Sequence, residues 1–212
     1  MESKPKLREP TVFVVDDDPA MRDSLRWLFE SVGLAVETFA TAEAFLDGCD
    51  PTRPGCLLLD VRMPGMSGLN LQDELAARHF TLPTIIITGY AEVATAVRAL
   101  KTGAIDFIEK PFSDELLLER IQQALAADRQ ARETRAHYAD VAARFALLTA
   151  RERSVMELVI AGKANKVIAA DLGLSPKTVE VHRANVMRKM EAQSVAELVR
   201  LSFVLPPHAG KP

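Results

Sequence analysis

Cysteine, aromatic residues and long apolar runs are all scarce in this 212-residue sequence. The two cysteines, Cys49 and Cys56, match no metal-ligand or redox spacing. That excludes a disulfide framework and a cysteine-based metal centre, and both are expected as reduced thiols. No stretch approaches 18 consecutive apolar residues, and the start "MESKPKLREP" lacks the apolar segment of a signal peptide. Neither a spanning helix nor secretion is expected, and a soluble, cytoplasmic protein is. Only 6% of residues are aromatic, within an otherwise ordinary globular composition of 48% hydrophobic and 26% charged residues.

Charge is present in both signs but unevenly placed. The net charge is −3, yet residues 1–127 hold 12 Lys and Arg against 20 Asp and Glu, while residues 128–212 hold 14 against 9. An acidic half of net −8 and a basic half of net +5 suggest two domains with different partners, the second a candidate for nucleic acid. A solvated surface would give the same imbalance, so charge alone does not decide this.

The first half alternates short β-branched or leucine runs with amphipathic helical patterns. Strands are predicted at 11–15, 34–39, 56–60, 84–88 and 104–108, with helices at 19–31, 41–48, 68–79, 91–102 and from 113 onward. Three strands are nearly continuous apolar runs, as strands covered on both faces should be. Five such units predict a five-stranded, doubly wound parallel sheet with every strand's carboxyl end on one edge. From residue 128 the apolar stripe thins to alanine while charges recur at i,i+4 spacing, as in Asp128–Arg132 and Arg129–Glu133. A solvated helical linker over 128–146 follows, with Tyr138, Val141 and Phe145 restoring an apolar face. Beyond it, capping-box patterns at Thr149–Glu152 and Ser194–Glu197, C-cap glycines Gly162 and Gly173, and the Ser175-Pro176 start predict four short helices. They are placed at 150–161, 165–172, 176–190 and 195–204, within a domain at 147–205, and the tail 206–212 is expected to be disordered.

The chemistry-bearing residues follow the strands. Asp16, Asp17 and Asp18 come after the first, Asp60 ends the third, Thr88 ends the fourth, and Lys110-Pro111 follows the fifth. Open α/β sheets bind ligands at this edge. Two carboxylates 4 Å apart repel by about 4 kcal/mol at an effective dielectric near 20, so either their pKa values rise or a cation neutralises them. A hard ion held by few carboxylates with retained waters describes Mg²⁺. Such an ion would suit phosphoryl transfer to an aspartate, with Lys110 and Thr88 on the new phosphate. An Asp-rich turn can also simply cap the next helix, and "DDDPAMRDSL" is compatible with that.

Together, "VVDDDP", "LLLDVRMPGMSG", "IIITGY" and "DFIEKPF" resemble the receiver domain of bacterial two-component response regulators, expected over residues 10–127. The resemblance implies a flavodoxin-like fold and phosphorylation of Asp60 by a sensor histidine kinase. It implies Mg²⁺ held by the acidic pair Asp16 and Asp17, by Asp60 and by the Arg62 carbonyl. It further implies a phosphoryl-binding role for Thr88 and Lys110, an aromatic switch at Phe107, and a cis Lys110–Pro111 bond. Haloacid-dehalogenase-type phosphotransferases also use an aspartyl phosphate, but their motif needs a second Asp where Arg62 stands.

In the basic half, "DLGLS" between two predicted helices reads as a helix-turn-helix, whose second helix enters the major groove. On the 176–190 helix Val179, Val186, Met187 and Met190 form an apolar stripe. Lys177, Val181, Ala184, Asn185 and Arg188 lie on the opposite face, a mixture suited to groove reading. Lys163 and Lys166 are candidates for phosphate contacts, while Arg183 is expected to pack its stem at the edge of the stripe. The segment resembles the LuxR-type helix-turn-helix of the NarL/FixJ family, most strongly its FixJ-like members. That implies base contact near Glu180, Val181 and Ala184, with Thr178 and Lys177 at the DNA. It also implies double-stranded DNA and RNA polymerase as partners and a phosphorylation-dependent homodimer. Glu180 departs from the basic residue of some relatives, and either accepts from cytosine N4 or points away from DNA. The expected protein is a phosphorylation-controlled transcription factor, not an enzyme beyond turnover of its own phosphoryl group. A constitutive DNA binder and a stand-alone phosphotransferase are the alternatives.

Overall fold

The structure, a computed structural model, describes residues 9–89 and 93–204. The expected disorder of 206–212, the chain start and the first two residues of the helix placed at 91–102 lie outside these. The chain divides into two compact units, the first ending at Arg132 and the second starting at Glu133.

The first unit is a five-stranded parallel sheet of order β2-β1-β3-β4-β5. Its strands are β1 (Thr11–Val15), β2 (Ala35–Phe39), β3 (Gly55–Asp60), β4 (Thr84–Thr88) and β5 (Asp106–Glu109). The connecting helices are α1 (Pro19–Ser31), α2 (Ala42–Gly48), α3 (Gly68–Ala77) and α4 (Val93–Lys101), and α5 (Asp114–Ala146) follows β5. The leucine run of β3 is buried throughout because β3 lies between β1 and β4 with helices on both faces. Leu57 and Leu59 face one cluster with Phe13, Val15 and Ile86, while Cys56 and Leu58 face the other with Val12, Val14, Ile85 and Ile87. Each such aliphatic side chain contributes about 1.5–3 kcal/mol on burial, which fixes the strand register and so the position of every strand end. Burial also pushes the Cys49 thiol up to about 11 and the Cys56 thiol higher, leaving both as inert reduced thiols.

Several elements begin or end one or two residues from where they were expected, and three differences have an evident local cause. The strand expected at 104–108 begins at Asp106, because Gly103 turns in the left-handed region at φ 101°. The helix expected to reach 79 stops at Ala77, where His79 takes φ 57° and the Phe80 amide closes on the Leu75 carbonyl. The solvated linker expected from 128 does not describe its first turn. Asp128 is buried, accepts from the Gly55 amide at 2.9 Å and pairs with Arg132 at 2.6 Å. Arg132 in turn donates to the carbonyls of Thr52 and Arg53. This part of α5 is thus held against the start of β3, which the i,i+4 pattern could not show.

In the second unit α6 (Ala150–Ile160), α7 (Asn165–Leu172), α8 (Pro176–Lys189) and α9 (Val195–Ser202) surround one core. Val155, Met156, Val159, Ile168, Val179, Val186, Met190 and Leu198 are buried there with Val141 of α5. Phe145 and Met187 are partly buried against this core, but Tyr138 is 48% exposed, so it does not complete the apolar face expected of it. Thr149 and Glu152 form the complete reciprocal capping box. Ser194 caps α9, but Glu197 reaches back to the Gln193 amide rather than to Ser194, so the second expected box is only half formed. Gly173 ends α7 in the left-handed region at φ 65°, a conformation that a side chain would strain.

Among the described residues no helix is long and apolar enough to cross a membrane.

Candidate functional site

The parallel register sets Asp16, Asp60, Thr88 and Lys110 at one edge of the sheet. Val15 pairs with Leu59, Asp60 with Ile87, and Thr88 with Glu109, so the residues ending or following these strands converge. The loop after Asp60 depends on close packing. A Cβ on Gly68 would lie 2.0 Å from the Asp60 carbonyl oxygen, so only glycine lets α3 start this near the strand end.

Lys110 is the centre of the cluster. Its Nζ donates to Asp16 Oδ2 at 2.8 Å and to Asp60 Oδ1 at 2.7 Å. Asp60 Oδ2 accepts from the Arg62 amide at 2.6 Å, and Asp16 Oδ1 from the Asp18 amide at 2.9 Å. Asp16 is 1% exposed and Asp60 6%, while Asp17 is exposed beside them. Burial raises the Asp60 carboxyl above its ordinary range, and Asp16 adds to this, against the lowering effect of Lys110 and the Arg62 amide. Burial disfavours the Lys110 ammonium, but the hydrogen bonds and charges of Asp16 and Asp60 outweigh it and raise its pKa. The ammonium is therefore retained, and the two carboxylates outnumber it.

Thr88 is buried at the end of β4, and its carbonyl accepts from the Lys110 amide at 2.8 Å. Phe107 is half-buried against the cluster that contains Leu57 and Leu59. Lys110–Pro111 is cis. Asp18 acts as the N-cap of α1, its carboxylate accepting from the Ala20 amide at 2.9 Å.

Two further side chains at this edge carry no signal in the sequence. Arg22 Nη1 donates to the Asp16 carbonyl at 2.7 Å, and Glu43 Oε1 accepts from the Met66 amide at 3.2 Å in the loop after Asp60. A basic residue six positions past Asp16 on a helix would have been the only hint of the first. The second joins residues 23 apart, which no periodicity reports.

Among the described residues no group of three or more His, Cys, Asp and Glu side chains is arranged to hold a metal. Mg²⁺ needs fewer, since one or two carboxylates and retained waters suffice. The buried pair Asp16 and Asp60, with two negative charges against one ammonium, has the charge and the hard oxygen donors for such an ion.

On the second unit, α7, the turn at Gly173 and α8 form a helix-turn-helix. Lys166, Lys177, Glu180, Val181, Ala184 and Arg188 are exposed, and Asn185 is half-buried. Val181 is 56% exposed on a helix whose other face is core, an apolar group turned to solvent. Lys163 is exposed but paired with Asp171 at 2.7 Å. The Thr178 hydroxyl lies 2.8 Å from that of Ser175 at the helix start, so it belongs to the cap. Arg183 packs back onto Asn165 Oδ1 at 2.9 Å.

Comparison with known proteins agrees with both halves. The response regulator receiver domain family matches residues 12–122, and the luxR family of bacterial regulatory proteins matches residues 146–202. The chain is 48% identical over 192 residues to the transcriptional regulatory protein FixJ of Bradyrhizobium diazoefficiens, covering 91% of this chain and 94% of that protein. Among solved structures it is similar to the response regulator StyR, with a TM-score of 0.87 and 45% identity over 92% of this chain and 98% of that one. It is also similar to full-length FixJ from B. japonicum, with a TM-score of 0.58 and 46% identity over 93% and 97%.

Proposed function

The chain belongs to the response regulators that join a receiver domain to a luxR-type DNA-binding domain, and on that premise we propose that Asp60 is its phosphoacceptor. As a class these are phosphorylation-controlled transcription regulators with an output domain that binds DNA, not an enzyme family, and a receiver implies a sensor kinase as donor.

The observation that carries the assignment of Asp60 is the shared Lys110 ammonium, 2.7 Å from Asp60 and 2.8 Å from Asp16. An Asp60 oxygen attacks the phosphorus of the kinase's phosphohistidine; the new O–P bond forms as the P–N bond breaks, and the imidazole leaves with its electron pair. Lys110 shifts from the carboxylate to a phosphoryl oxygen, a charge-assisted hydrogen bond that persists in the product. The Thr88 hydroxyl donates to a second phosphoryl oxygen, and Phe107 turns into the space that this movement opens.

Receiver domains generally bind Mg²⁺ at the phosphorylation site. Here Asp16, Asp17, Asp60 and the Arg62 carbonyl are the residues that would hold it, and the ion would offset charge on the transferring phosphoryl group. The domain's own dephosphorylation belongs to the same site.

The output follows from a population shift. Moving a two-state equilibrium from 1:99 to 99:1 takes about 5.5 kcal/mol of differential stabilisation, supplied by the new contacts to Thr88 and Lys110. The α4–β5 surface then changes, a receiver homodimer forms, and α8 engages the major groove. Lys166, Lys177 and Arg188 meet phosphates, and Val181, Ala184 and Asn185 meet base edges. Lys163 and Thr178, already engaged within the domain, contribute less, and RNA polymerase is the downstream partner. Labelling with acetyl phosphate in the presence of Mg²⁺ tests the first step. Asp60→Asn should abolish it, and undiminished labelling at another residue would sink the assignment.

A further inference from the structure

Arg22 stands on α1, six residues after Asp16, and takes no part in the chemistry above. Its Nη1 donates to the Asp16 carbonyl at 2.7 Å, and its own amide donates to the Asp18 carbonyl at 3.0 Å. Every polar atom of Asp16 is then engaged. The amide donates to the Phe39 carbonyl at 3.2 Å, Oδ1 accepts from Asp18, Oδ2 accepts from Lys110, and the carbonyl accepts from Arg22.

Three consecutive carboxylates repel one another, so a turn that carries them tends to splay unless its backbone is tied down. The guanidinium is tied to a carbonyl, not to a carboxylate. It closes the turn from the backbone side and occupies neither carboxylate oxygen of Asp16, whose partners are the Asp18 amide and Lys110. We propose that Arg22 is a positioning residue of the acidic turn, fixing the directions of Asp16 and Asp17 toward a divalent cation without touching the cation or the phosphoryl group. The inference rests on the assignment of the phosphoacceptor and Mg²⁺ site to this sheet edge.

Charge and position make opposite demands here. A cationic side chain near a Mg²⁺ site weakens metal binding by repulsion, so deleting a merely electrostatic Arg22 would tighten it. Deleting a positioning residue loosens it, as loss of groups that orient metal ligands commonly does by roughly ten- to a hundredfold.

The test is calorimetric titration of the full chain with MgCl₂, alongside the Mg²⁺ concentration that gives half-maximal acetyl phosphate labelling. Arg22→Met should raise both the dissociation constant and that half-maximal concentration by roughly ten- to a hundredfold, with the labelling rate at saturating Mg²⁺ retained. Arg22→Lys, which keeps a donor within reach of the carbonyl, should recover most of the loss. Unchanged or tighter Mg²⁺ binding in Arg22→Met overturns the proposal, and so does an Arg22→Lys variant as impaired as Arg22→Met. Where Arg22→Met fails to fold, Arg22→Ala takes its place; if neither folds, Arg22 is a determinant of the fold and the proposal falls. A wild type that binds no Mg²⁺ would overturn the site assignment and this proposal together. A wild type that binds it, with Arg22→Met unaltered, overturns the role of Arg22 alone.

Discussion

Each unit buries a carboxylate beside a lysine, and the two pairs behave in opposite ways. In the second unit Glu152 accepts from Lys189 at 2.6 Å and from the Thr149 amide at 2.8 Å. Burial acts to raise its pKa, but Lys189 and the Thr149 cap outweigh that and hold the carboxyl down at about 2. In the first unit Asp60 shares its ammonium with Asp16, and burial together with that second carboxylate raises its pKa instead. The difference lies first in burial, which the partners of Asp60 do not outweigh, and then in the second carboxylate that shares its ammonium. A buried carboxylate with its own cation and backbone donors is a structural element, whereas one that must share a cation retains unmet charge and is poised to take a ligand.

Substitution should separate the two most sharply. Glu152→Ala leaves Lys189 with the Leu147 carbonyl as its one remaining partner among the described residues, and removes one half of the capping box. A loss of about 3 kcal/mol is expected, since breaking a buried pair strands its partner. Asp60→Asn, which relieves repulsion around Lys110, should leave stability equal or higher. Urea denaturation checks both. Circular dichroism follows the helices of both units, while Trp27, the single tryptophan, lies in the receiver unit and reports that unit alone by fluorescence. A large loss in Asp60→Asn would erase the contrast.

The pH dependence should follow with opposite signs. Glu152 has a depressed folded pKa, so its contribution is fully present above its ordinary value of 4.5 and is lost as pH falls toward about 2. Asp60 has a raised folded pKa, so the native state holds its proton longer than the unfolded chain does. Its ionisation costs stability as pH rises above 3.8 toward the folded value. The two variants should each flatten one slope. Parallel slopes in both variants would contradict the comparison.

Smaller effects test the surface of the second unit. Thr149→Ala should cost about 1 kcal/mol through loss of the cap, and Ser194→Ala less, because its box is half formed. On DNA, Lys166→Ala should reduce the slope of log affinity against log salt by about 0.9 if it meets a phosphate. Lys163→Ala should change it less, because Asp171 already engages that charge. Equal salt slopes for the two lysine variants would show that the ion pair opens on binding.

Much of this was legible in advance because it depends on short-range pattern. The leucine run before Asp60 predicted a strand buried on both faces, and β3 is one. The Ser175-Pro176 and Thr149–Glu152 signals placed helix starts at the residue. The convergence of Asp16, Asp60, Thr88 and Lys110 at one edge was expected from a parallel sheet with right-handed crossovers, without knowledge of the strand order. Hidden from the sequence were partner choices across long separations. Lys110 reaches Asp16 over 94 residues and Asp60 over 50, and Asp128 reaches Gly55 over 73. The i,i+4 spacing that made Asp128–Arg132 read as solvated surface is equally compatible with a buried clamp.

The sequence by itself determined where strands and helices lie and which chemical groups stand at the strand ends, because periodicity, caps and turns are local properties of the chain. Only the tertiary structure decided how the charges are shared: one ammonium between two buried carboxylates at Asp60, but one for a single carboxylate at Glu152. That allocation depends on distance and burial, and it is what separates a carboxylate poised for chemistry from one committed to the fold.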